Sequence, residues 1–260
     1  MSGAPALPRL QLRALSAPSP ANPVMVCGLP GSGFVGKLAA DYLVTTFKAE
    51  KFAEVYSSSF PPNVSIGDEG IAQRSRGELF HARTGQRADL IVFTADSQPS
   101  TSEGEYELAE AVLVEAKRLG VKAVFSLAAY VTGAFVKERR VFGAATSARA
   151  ALALSANGVH LMREGGISGM NGLVVGLAGL MGMDGMSLLG ETSGYLLDPA
   201  ASHAVLGSLA RILEMEVDME SIEESATEAQ QVFNQVQMMT EQGAEGARVP
   251  QEERKPGYIG

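Results

Sequence analysis

Cysteine is nearly absent from this sequence: Cys27 stands alone among 260 residues. One thiol excludes an internal disulfide and any cysteine-based metal motif. Its place in the apolar run 24–27 predicts a small apolar filler in a buried strand. Histidine is almost as scarce. His81, His160 and His203 lie far apart, and their spacing fits neither a metal site nor histidine-based catalysis. A cationic excess is also missing, since 21 Lys and Arg face 29 Asp and Glu, for a formal charge of −8. That argues against a nucleic-acid partner, which needs clustered cations for phosphate contacts. No run approaches the roughly 18 apolar residues of a membrane span, so no membrane is expected as a partner. Arg9 and Arg13 precede the first acidic residue, Asp41, as in an organelle transit peptide. However, 9–15 alternates apolar and polar residues, which predicts an opening strand. The cytoplasm is the expected compartment.

Glycine is abundant, with 29 residues, and it is concentrated where chemistry is usually found. Gly31, Gly33 and Gly36 spell G-x-G-x-x-G after an apolar strand. Gly31 to Lys37 also spell G-x-x-x-x-G-K, but Leu38 replaces the Ser or Thr hydroxyl that a phosphate-binding loop offers to magnesium. The Rossmann reading also lacks its ribose-binding acid, because the second apolar run, 52–56, ends in Ser57-Ser-Ser. Asp96, after the run 90–94, is the available acid for a magnesium-dependent site. With both motifs incomplete, Gly28, Gly31, Gly33 and Gly36 read as a tight strand-to-helix turn and close helix–sheet packing. A second loop, with Gly166, Gly169 and Gly172, reads the same way. No cofactor is expected.

Strands are predicted at 9–15, 24–27, 52–57, 63–66, 78–83, 90–94, 121–127, 140–145, 159–161 and 186–189. Helices are predicted at 35–47, 102–119, 147–156, 173–181 and 200–213. Ser102 to Glu105 has capping-box spacing, and Gly120 stops that helix. The alternation predicts an α/β fold: one domain over 8–218 with a mixed, mostly parallel sheet flanked by helices, preceded by a flexible start at 1–7. From 219 to 242 the chain becomes a Glu- and Gln-rich helix. In it Ile222, Ala226, Ala229, Phe233 and Val236 are spaced 4-3-4-3, a seam for oligomerisation or for packing on its own domain. Residues 243–260 have little apolar content and read as a flexible tail. It nevertheless ends in Tyr258, Ile259 and Gly260, an apolar tip suited to docking on a partner.

Six segments, taken in order, resemble the proteasome assembly chaperone 2 family over about residues 20–235. They are Gly28-Leu-Pro-Gly-Ser-Gly-Phe-Val-Gly-Lys37, Gly104-Glu-Tyr-Glu-Leu-Ala109, Val141-Phe-Gly-Ala-Ala-Thr146, Gly166-Ile-Ser-Gly-Met-Asn-Gly-Leu173, Leu188-Leu-Gly-Glu-Thr-Ser-Gly-Tyr195 and Asp198-Pro-Ala-Ala201 with the helix ending at Asp218. The resemblance implies a fold like that of purine nucleoside phosphorylases. It also implies a non-enzymatic, oligomeric chaperone or adaptor for assembly of the 20S proteasome, with α-subunits or another assembly chaperone as partners and no catalytic residues. Some relatives end in hydrophobic–Tyr–any residue, which inserts between α-subunits; here Tyr258 stands one place too early. Two other readings remain open. One is a nucleoside- or nucleotide-binding enzyme on the same fold, drawing on Lys37, Asp96, Glu191, Thr192 and Ser193. The other is a scaffold unconnected with proteasomes.

Overall fold

The computed structural model describes residues 9–227, apart from residues 68, 135, 137 and 225. In chain order the elements are β1 (Leu10–Ala14), β2 (Val24–Gly28), α1 (Val35–Thr46), β3 (Glu50–Ser57), β4 (Val64–Ile66), β5 (Ala72–Arg74), β6 (Gly77–Ala82), β7 (Leu90–Ala95) and α2 (Ser102–Arg118). They continue with β8 (Ala123–Val131), β9 (Val141–Ala145), α3 (Ala148–Ala156), β10 (His160–Leu161), α4 (Gly169–Leu180), β11 (Asp184–Thr192) and α5 (Pro199–Leu213).

Nine strands form one mixed sheet in the order β1-β3-β6-β7-β2-β8-β11-β9-β10, while β4 and β5 make a separate hairpin. The parallel ladders are β7–β2, β2–β8, β8–β11 and β9–β10. The wing β1-β3-β6-β7 and the β11–β9 pair are antiparallel. The central strands read as continuous apolar runs because both of their faces are covered. Met25, Cys27, Ile91, Phe93 and Val124 point to one side, under α2 and α4. Val26, Leu90, Val92, Phe125 and Leu127 point to the other, under α1, α3 and α5. This period-two division produces two apolar layers from one sheet.

Helix starts follow local chemistry. Asp198 caps α5 by accepting from the Ala201 N–H at 3.0 Å, with Pro199 in the first turn. Ser147 caps α3 in the same way, at 3.1 Å from the Ala150 nitrogen. The cap of α2 is one residue earlier than its spacing predicts: Thr101, not Ser102, accepts from the Gly104 N–H at 3.1 Å. Glu103 and Glu105 occupy its first turn and Lys117 and Arg118 its last, matching the helix dipole.

Beyond α5 the chain crosses the N-terminal ends of the parallel strands. Gln86 receives the Glu216 N–H at 2.7 Å and donates to the Glu216 carbonyl at 2.9 Å. The Tyr42 hydroxyl donates to the Asp218 carbonyl at 2.8 Å, and residues 220–224 are again helical. Ile222 is buried in the same apolar cluster as α1 and α5, and Ala226 is half-buried. The first position of the heptad seam therefore packs on its own domain. Ala229, Phe233 and Val236, and the tip Tyr258, Ile259 and Gly260, lie outside the described residues.

Candidate functional site

The two glycine loops meet at the C-terminal ends of β2, β8 and β11. A Cβ on Gly36 would sit 2.0 Å from the Leu127 carbonyl oxygen, and one on Gly28 would sit 2.1 Å from the Gly36 carbonyl oxygen. The start of α1 thus lies directly on β2 and β8, closer than any side chain allows. Gly33 has φ +61° and faces the Thr192 hydroxyl and Asp198. In the second loop a Cβ on Gly172 would be 1.8 Å from the Ile167 carbonyl oxygen, and Gly169 has φ +69°. Gly31 and Gly166, by contrast, have open space around them.

Gln98 ties the loops together. Its amide nitrogen donates to the Pro30 carbonyl at 2.6 Å, and its oxygen accepts from the Met170 N–H at 3.2 Å. Between the loops lies a crevice of about 590 Å³ whose polar lining is Ser32, Gln98, Tyr130, Glu164, Ser168 and Asn171. Among the described residues, no Lys, Arg or His lines it. A phosphate there would meet Glu164 and, among the described lining residues, no countercharge, unlike the anion cradles that glycine loops usually build.

The residues offered for nucleotide chemistry are not brought together. Lys37 points along α1, donating to both Asp41 oxygens at 2.6 and 2.7 Å. Asp96 accepts from the Arg76 backbone at 3.2 Å on the antiparallel wing. Glu191 is buried and held by Arg140, whose side-chain nitrogens donate at 2.8 and 2.9 Å. That guanidinium holds the Glu191 carboxyl below the usual carboxylate range, against the opposing effect of burial. Thr192 donates to Asp198 at 2.7 Å, and Ser193 accepts from the Tyr195 N–H at 3.4 Å. These are turn and cap contacts around the loop that leads into α5.

The histidines remain apart. His81 is buried on β6 with Asp89 3.0 Å away, His160 tilts against Phe142, and His203 sits on α5. Burial pushes the Cys27 thiol up to about 12, which removes its nucleophilic form at neutral pH. Among the described residues no group of three His, Cys, Asp or Glu is placed to hold a metal.

One polar cluster escaped sequence reasoning. Lys51 lies 2.9 Å from Glu54 and 2.8 Å from Glu78, and Arg76 lies 2.9 Å from Glu78. Arg13 adds a longer contact to Glu54. The residues come from β1, β3 and β6, with Arg76 just before β6, so no local motif announces them. Burial opposes the ionised form of Glu78, but Lys51 and Arg76 prevail and hold its carboxyl low. The Lys51 contact does the same for Glu54.

Comparison with known proteins decides what this architecture is. The PAC2 family matches over residues 25–237. The chain belongs to the PAC2 family. The uncharacterized protein MJ1210 of Methanocaldococcus jannaschii is 34% identical over 241 residues, 92% of this chain and 93% of its own. The crystal structure of Pyrococcus furiosus PbaB, described as an archaeal proteasome activator, superposes with a TM-score of 0.83 at 32% identity, covering 88% of this chain and 99% of that one. Pyrococcus furiosus PbaA, described as an archaeal homolog of proteasome-assembly chaperone, gives 0.73 at 27% identity, covering 93% and 95%. This PAC2 domain therefore has the single α/β architecture with a large mixed sheet that its relatives share. No helix among its described residues is long and apolar enough to cross a membrane.

Proposed function

We propose that this PAC2 protein is a non-enzymatic, oligomeric chaperone or adaptor that assists assembly of the 20S proteasome core particle. It does so by binding proteasome α-subunits or another assembly factor. The observation that carries this reading is the likeness of the whole domain to PbaB, supported by the likeness to PbaA. The glycine loops agree with it, because their closest approaches serve backbone packing. In this reading the seam of Ile222, Ala226, Ala229, Phe233 and Val236 continues from its anchored first turn into a contact between copies. The tip Tyr258, Ile259 and Gly260 is the partner-binding element, and several weak tips on one oligomer add avidity. The site of action is the cytoplasm.

Immobilised full-length protein should retain proteasome α-subunits or a partner assembly factor, and removal of residues 256–260 should weaken retention. Failure of the intact chain to retain either would overturn the reading. The alternative, a nucleoside- or nucleotide-binding enzyme, has one observation in its favour: a crevice at the strand ends where α/β ligand sites lie. Micromolar binding of ATP, NAD or a nucleoside by calorimetry would favour it instead.

A further inference from the structure

We propose that the wide groove across the N-terminal ends of the central strands receives residues 223–242 of a second copy of this chain. The inference rests on the oligomer proposed above and names the surface that accepts its seam. The groove has a volume of about 1210 Å³ and opens between α3, α4 and the end of α5. Its base is apolar: Phe125, Met186 and Ala150 are buried beneath it, and Gly176, Leu180 and Leu213 offer the more exposed surface. Leu180, the last residue of α4, is 85% exposed at the edge of this groove. Gly176, on the exposed side of α4, leaves open space beside it, whereas Thr146 packs against Gly179.

The rim is cationic. Arg87, Lys122 and Arg149 line it against one carboxylate, Asp184. Arg149 pairs with Asp184 and Arg87 with Glu214; Lys122 has no ion-pair partner among the described residues. Residues 223–242 carry Glu223, Glu224, Glu228 and Glu241 and no Lys, Arg or His. Glu223 and Glu224 are exposed where the helix begins. Apolar seam to apolar floor and carboxylates to cationic rim is the helix-in-groove mode of recognition.

The donor is a second copy for a reason of geometry. The first turn is fixed on α1 by Ile222 and by the Tyr42–Asp218 hydrogen bond. The chain has by then left the groove wall at Leu213. Return to the same groove would need a sharp reversal, and 223–242 contains neither glycine nor proline to make one.

Light scattering on the full chain tests this. Gly176→Leu fills the groove, and a Cβ there meets nothing within 4 Å, so the domain itself tolerates it. The expected result is a wild-type mass of two or more chains. Gly176→Leu and the double variant Lys122→Glu/Arg149→Glu should each weaken association roughly tenfold, equivalent to about 1.4 kcal/mol. Combining the double variant with Glu223→Lys/Glu224→Lys/Glu228→Lys should restore it. If Phe233→Ala dissociates the oligomer while both groove variants leave it intact, the groove is not the receptor, although the seam stands. If Phe233→Ala also has no effect, the seam reading itself fails. A wild-type chain that is monomeric at every concentration overturns the second-copy occupant.

Discussion

The two ends of the parallel strands are built differently. At the C-terminal end, glycines bring α1 into backbone contact with β2 and β8 and close the second loop on itself, Gln98 bolts the two loops together, and the crevice between them has no cation among its described lining residues. At the N-terminal end, a groove opens between α3, α4 and the end of α5, with a largely buried apolar base and a cationic rim. Open α/β sheets usually place ligands at the first of these ends. Here it is the opposite end that has the size and chemistry to take a helix. The glycine fingerprint thus marks the more closely packed end of the domain.

Breaking the closely packed end should give the largest effect. Gly36→Ala drives a methyl onto the Leu127 carbonyl and should cost about 3 kcal/mol or more, or abolish folding, whereas Gly31→Ala and Gly166→Ala, with open surroundings, should melt close to wild type. Thermal melts by circular dichroism separate these outcomes. Equal losses at all three positions would show that the glycines matter for something other than close approach.

Arg140→Met should come next, because it strands the Glu191 carboxylate. The sign follows from linkage: Glu191 has a folded pKa below its unfolded value, so its ion pair stabilises above the ordinary carboxylate range and is lost as pH falls through the folded value. The variant should be distinctly less stable than wild type at pH 7, and the gap should narrow towards pH 4. A gap that does not change with pH would assign the loss to packing.

Thr101→Ala removes the cap of α2 and should cost about 1 kcal/mol. Ser102→Ala should cost less, which checks the one-residue shift in the cap. The smallest effect on stability belongs to Gly176→Leu, whose melting temperature should stay at the wild-type value or rise, since leucine favours helix over glycine by up to about 1 kcal/mol. A stable fold combined with weakened association would be the clearest contrast between the two ends.

Much of the core was legible from residues alone. Fully buried strands such as β7 present unbroken apolar runs, and α2 and α5 announce their starts with hydroxyl or carboxylate caps. Glycine obscured what it did not break. Helix α4 begins at Gly169, four residues before the predicted start, because its first turn looks like loop. Strand β11 extends to Thr192 because Gly185, Gly190 and Glu191 disguise a buried run. Strand β5, Ala-Gln-Arg, has no apolar pattern to read. The crevice depends on Gln98 meeting Pro30 and Met170, and the groove on three helices that are distant in sequence. Such meetings are set by sheet order, which local periodicity does not contain.

Cys27 has a practical consequence. Its sulfur is enclosed within the sheet and its ionisation is pushed far above neutrality, so thiol reagents find no reactive native cysteine to attack. The chain is a blank background for labelling. One introduced thiol, at position 176 or near the C-terminus, would carry a spin label or fluorophore without a competing signal, and distances between neighbouring molecules would then be measurable in solution.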